Sequence, residues 1–187
     1  MRSKFRPLGL LLAMVLTLAS VTPLAGCSTN PATGERQFNV LSRDREISMG
    51  KEAAPEFRKQ YGGPIPSEKV TQRVKKLGKQ LAKVSERSDL PWEFHAVNSK
   101  QVNAFALPGG KIFITRGLMG KMDNMAQLAG VLGHEVGHVT AEHIGQRLSQ
   151  ALVINLGLAG LGAAAQQSDE QWLRYLGVGA QIGGGLY

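Results

Sequence analysis

Cysteine is almost absent from this sequence: Cys27 is the single one in 187 residues. With no second thiol, an intrachain disulfide framework and a thiolate zinc site are both excluded. Any metal would have to be held by His, Asp or Glu. Histidine is scarce as well. There are four, and three of them (His134, His138 and His143) fall between positions 134 and 143. Long apolar runs are missing too. Leu8–Leu18 and the Gly- and Ala-rich stretch Ala151–Ala165, which contains Asn155, both fall short of the roughly 20 residues a spanning helix needs. No internal repeat is apparent. With 43% hydrophobic and 19% charged residues, the composition excludes a disordered or collagen-like chain and fits one globular domain with a sizeable core.

The first 27 residues have the layout of an export signal. Arg2, Lys4 and Arg6 make a basic start, Leu8–Leu18 is the apolar stretch, and Leu24-Ala25-Gly26-Cys27 closes it. Small residues directly before a cysteine resemble a bacterial lipobox. That resemblance implies a signal peptide over residues 1–26, cleavage before Cys27 and acylation of the new N-terminus. Several acyl chains on one residue anchor a protein stably, since each buried CH₂ adds about 0.8 kcal/mol. Ser28 follows where an Asp would suggest retention at the inner membrane, so a periplasmic protein anchored to the outer membrane is expected. Losing Arg2, Lys4 and Arg6 would lower the formal charge from +8 to +5. Arg73, Lys75, Lys76, Lys79 and Lys83 recur without interleaved aromatics, which reads as a solvated helix face and not as a nucleic-acid surface.

Residues 27–40 are polar and rich in turn formers, as expected of a tether between lipid and domain. Ser42 should start a first helix, with Asp44 and Glu46 in its opening turn and Pro55 as a possible break before Gly62-Gly63-Pro64. Ser67 should cap a second, whose stripe Val70, Val74, Leu77, Leu81 and Val84 buries one face. Trp92–Val97 reads as a strand. Val102–Leu107 and Lys111–Thr115, flanking Pro108-Gly109-Gly110, read as a hairpin. Asn124 should cap a helix carrying Leu128, Val131, Leu132 and Val136 on one side. Residues 151–165 suggest a buried helix or helix pair, with a membrane-surface segment as the alternative, and Ser168-Asp169 the start of a last helix.

The chemistry sits in His134-Glu135-Val136-Gly137-His138, within the helix that Asn124 begins. Residues four apart lie one turn above each other, with Cβ atoms about 5–6 Å apart, so both imidazoles can reach one ion. Neutral imidazole suits zinc at about 2.0–2.1 Å. Glu135, one residue further round, can take a proton from water that the ion has made acidic instead of ligating the ion itself. A third ligand is harder to find. The metzincin pattern fails, because Ala141 stands where it needs Gly and Ile144 where it needs His. His143 should point elsewhere on a continuous helix. Glu142 is on the ligand face, where it either bonds a ligand His or is a plain surface residue. Asp169 and Glu170, the only acidic residues after it, sit in no ligand pattern.

The run Asn103-Ala104-Phe105-Ala106-Leu107-Pro108-Gly109-Gly110-Lys111-Ile112, then Gly117-Leu118-Met119 and the His-Glu-Val-Gly-His helix, resembles the HtpX-like and CAAX-prenyl-protease-like zinc endopeptidases. Asn30-Pro31-Ala32-Thr33-Gly34 and the Ser-led acidic helix after it are similar to their exported lipoprotein branch. The resemblance implies an α+β, zincin-like fold of the gluzincin type, mostly helical, with a small sheet (hairpin at about 102–115) and a metal-binding helix. It implies one zinc per domain on His134 and His138, with Glu135 as general base. Asn103, Ala104, Phe105 and Ala106 would form the edge on which an extended peptide lies, held by main-chain hydrogen bonds. The implied activity is cleavage of damaged or misassembled envelope proteins.

In that family the third ligand is the first Glu of a Glu-x-x-x-Ala-Asp-type signature on a later helix, and no such signature occurs in these 187 residues. The family pattern places it soon after the Gly-rich segment that ends at Tyr187. The resemblance therefore implies that residues 41–187 are the N-terminal part of a metallopeptidase domain. The alternative expectation is a catalytically inactive or incomplete relative, a lipoprotein that binds envelope proteins or assists their assembly.

Overall fold

A computed structural model describes residues 27–160. The expectations for the leader, for the last helix and for Asp169 and Glu170 lie outside those residues. The architecture is α+β. A two-stranded hairpin, β1 (Cys27–Thr29) and β2 (Arg36–Phe38), leads into α1 (Arg43–Gln60) and α2 (Glu68–Lys83). A three-stranded sheet of β3 (Glu93–Val97), β4 (Ala104–Leu107) and β5 (Lys111–Thr115) follows. Then come the short α3 (Arg116–Met119), α4 (Met125–Thr140) and α5 (His143–Gly160). Among the described residues no helix is long and apolar enough to cross a membrane.

The helix starts follow local chemistry. The Ser42 hydroxyl accepts from the Arg45 N–H, Ser67 from Val70, and Asn124 from both Ala126 and Gln127, so each satisfies donors that the first turn leaves open. Pro55 does not break α1. It and Lys51, whose carbonyl loses its partner, both lie on the exposed side, so the lost bond leaves no buried polar group. On α2, Val74 is buried while Val70, Leu77 and Leu81 pack partly against the core, and all six basic side chains are exposed. Val84 departs from the expected stripe. It is the C-cap, has left the helical rotation, and is 82% exposed, while Gly78 and Ala82 complete the buried face.

The sheet order is β3-β5-β4, with β5 parallel to β3 and antiparallel to β4. The hairpin is where the sequence suggests, closed by Leu107 opposite Lys111 across Pro108-Gly109-Gly110. The parallel partner β3 puts β5 in the centre, and all five of its residues are buried. Side-chain alternation divides the core in two. Towards α1 point Val97, Phe105, Leu107 and Phe113, and the rings of Phe105 and Phe113 stack at 5.0 Å. Towards α2 and α4 point Phe94, Ala96, Ile112 and Ile114, with the small Ala104 and Ala106 of β4.

The loop tip of the hairpin is keyed into α1. Gly109 takes φ +68°, which glycine adopts without strain, and its N–H donates to Glu46 Oε1 at 3.2 Å. A Cβ on Gly50 would lie 1.9 Å from the Pro108 carbonyl oxygen, and one on Gly109 would lie 2.7 Å from Ile47 Cα. Only glycine at both positions permits this approach.

Two stretches differ from expectation. Residues 27–40 are not a loose tether. Asn30 is buried and donates to the Ala141 carbonyl at 3.0 Å, and its own Oδ1 accepts from Ala32 and Thr33, closing the turn between β1 and β2. Nor does the chain run from α4 into α5 as one helix. Glu142 has φ +55°, the left-handed conformation that ends a right-handed helix, and α5 begins anew at His143. Within α5, Leu152, Val153 and Ile154 are exposed where a buried segment was expected.

Candidate metal centre

The apolar side of α4 (Leu128, Leu132, Val136) packs against the inner face of the sheet, which fixes the rotation of the helix and turns His134 and His138 outward. The Nε2 atoms of the two rings are 3.0 Å apart. Two nitrogens that each reach one ion at about 2.1 Å must lie within roughly 4 Å of each other, so this pair fits a shared metal. Burial, and then the neighbouring His134, His143 and Arg147, push the His138 imidazole down to about 4. At neutral pH it therefore keeps the lone pair that a metal ligand requires. Glu135, next to His134 in the chain, is 8% exposed, and burial pushes its carboxyl up to about 7.

His143 is not where the sequence reading put it. Its Nδ1 lies 2.7 Å from the Nδ1 of His138, because the left-handed Glu142 swings the start of α5 back over the end of α4. A continuous helix would have carried it away. Glu142 takes neither of the two roles expected of it. Its carboxylate accepts from Gln37 and Asn39 of the N-terminal arm and lies 3.7 Å from Arg87. Arg87 is itself buried. It pairs through two nitrogens with Glu46 of α1 and donates to the Val139 carbonyl at 3.1 Å. No sequence signal marked Arg87, which lies in a loop and acts across more than forty residues.

The candidate edge divides. The Asn103 N–H donates to Thr115 Oγ1 and its carbonyl accepts from the Thr115 N–H, so its main chain is spent on β5, and its side chain bonds Tyr61. Phe105 is buried between Tyr61 and Phe113. Alternation along an antiparallel ladder then turns the main-chain groups of Ala104 and Ala106 away from β5. No strand covers that side among the described residues, and α4 packs beside it. His95 is remote from these groups: it stacks on Phe113 on the α1 face and pairs with Glu93. Cys27 opens β1 opposite Phe38. Among the described residues no three His, Cys, Asp or Glu side chains form a group that could hold an ion.

The chain is 34% identical over 144 residues to the mitochondrial metalloendopeptidase OMA1 of Schizosaccharomyces pombe, a match covering 74% of this chain and 43% of that protein. It is 30% identical over 140 residues to the beta-barrel assembly-enhancing protease of Escherichia coli K12, covering 73% of this chain and 28% of that one. It is also 41% identical over 78 residues to the mitochondrial metalloendopeptidase OMA1 of Arabidopsis thaliana, covering 42% of this chain and 16% of that one. The chain thus spans less than half the length of these relatives. The family described as peptidase family M48 matches residues 68–182, which take in α2, the sheet and the paired histidines of α4, and the chain belongs to that family.

Proposed function

We propose that this chain belongs to an exported, zinc-dependent endopeptidase that cleaves polypeptides of the cell envelope. The observation that carries the reading is the convergence of His134 and His138 Nε2 at 3.0 Å beside a buried carboxyl on the same helix. The metal-dependent chemistry named for the M48 relatives supports it. His134 and His138 would hold the ion, and zinc there supplies the Lewis acidity that makes water a nucleophile near neutral pH. With the ion bound, Glu135 would be the side chain that accepts a proton from the attacking water. A carboxyl in that position can both take a proton and return it to the leaving amine. Ala104 and Ala106 present free main-chain groups beside α4, so an extended peptide pairs there whatever its side chains. The names of the relatives, a metalloendopeptidase and a beta-barrel assembly-enhancing protease, support polypeptide substrates in the envelope. The acylated Cys27 would tether the domain to the outer membrane, and HtpX-like, lipoprotein-type members are the branch we assign.

The test is zinc content and casein cleavage by the chain purified without its leader. Bound zinc with cleavage reduced by about 10²–10⁴ in Glu135→Gln supports catalysis through these residues. Zinc-free, inactive protein would favour the assembly-lipoprotein reading for this chain. Acyl labelling that persists in Cys27→Ala would overturn the anchor.

A further inference from the structure

We propose that His143 is a positioning residue for the metal centre: it accepts a hydrogen bond from His138 Nδ1–H and so fixes the ring that presents Nε2 to the ion. This rests on the reading of His134 and His138 as metal ligands, and extends it to a residue outside the motif. The geometry is specific. His138 uses both of its nitrogens, Nε2 towards His134 at 3.0 Å and Nδ1 towards His143 at 2.7 Å. The two directions diverge across the ring, so His143 lies behind His138 and is not itself a ligand of an ion held by the Nε2 pair. A ligating imidazole needs its other N–H bonded to fix tautomer and orientation, and an acceptor at Nδ1 does that. Here the acceptor is the Nδ1 of a neutral imidazole, where a carboxylate or carbonyl more often serves.

The fold holds His143 in place at some cost. Glu142 sits in the left-handed region, which is unfavourable for a residue with a side chain. Its carboxylate is fixed by Gln37 and Asn39, with Arg87 nearby, and that turn is what starts α5 with His143 facing back. The imidazole contact is thus the end point of a side-chain network that begins in the N-terminal arm.

The experiment measures zinc affinity of the purified chain by competition with a chromophoric chelator, in wild type, His143→Phe, His143→Asn and His134→Ala. Phenylalanine keeps a ring and removes the acceptor. Asparagine places a carbonyl oxygen close to where Nδ1 sits. The expected result is a zinc affinity about 10–100-fold weaker in His143→Phe, largely restored in His143→Asn. The metal-free proteins should melt together, and of the two His143 variants only His143→Phe should change the cobalt(II)-substituted spectrum. Equal affinities in wild type and His143→Phe, with binding lost in His134→Ala, would overturn the role of His143 and leave the ligand reading standing. Equal weakening in both His143 variants, with lower melting of the metal-free proteins, would make His143 merely structural and also overturn it. Wild type that binds no zinc, or zinc binding that survives His134→Ala, would overturn the ligand reading and this inference with it.

Discussion

The two ends of α4 are built differently. The N-terminal end is secured by its own neighbourhood: Asn124 accepts from two N–H groups within three residues, and Met125 beside it is exposed. The C-terminal end is secured from a distance. Arg87 reaches the Val139 carbonyl, Asn30 the Ala141 carbonyl, and Glu142 is held by residues more than a hundred positions earlier. The histidines lie nearer the second end. A metal site needs its ligands fixed to within fractions of an ångström, and long-range bonds supply that where a local cap supplies only a start.

The comparison is broken most severely at Arg87. Arg87→Met leaves the Glu46 carboxylate buried without its partner and should cost about 3–5 kcal/mol in chemical denaturation. Replacing both, as Glu46→Leu with Arg87→Met, should recover part of that loss, because the penalty comes mainly from the stranded charge. Asn30→Ala should cost about 1–2 kcal/mol, since it removes the bond to Ala141 and the closure of its own turn. Asn124→Ala should be the mildest, about 1 kcal/mol. An Asn124 variant as damaging as the Arg87 variant would show that the two ends are not distinguished in this way.

The same contrast separates what the sequence made legible from what it did not. Ser42, Ser67 and Asn124 were readable because a cap and its donors lie within three residues. The hairpin was readable because Pro108-Gly109-Gly110 is a turn on any reading. The histidine pair followed from helix periodicity alone. The parallel pairing of β3 with β5 has no local signature, nor does the buried Glu46–Arg87 pair, whose members look like two ordinary surface charges. His143 was misplaced for a related reason. Periodicity is trustworthy only while the helix continues, and the break at Glu142 is imposed by Gln37, Asn39 and Arg87, none of them near it in sequence. Val84 shows the same failure in miniature, since it fits the stripe of α2 but stands just past its last turn.

The interlock between the hairpin tip and α1 bears on how the candidate substrate edge behaves in time. Amides at loop tips ordinarily exchange with deuterium through small local openings of nearly zero free energy. The Gly109 amide is bonded to Glu46, whose other oxygen is held by Arg87, and the loop around it is pressed into the space left by Gly50. Solvent reaches that proton only when α1 lifts off the sheet. The hairpin tip should therefore exchange in step with the central strand β5, and on the proposed function β4 would be a fixed template to which a peptide conforms.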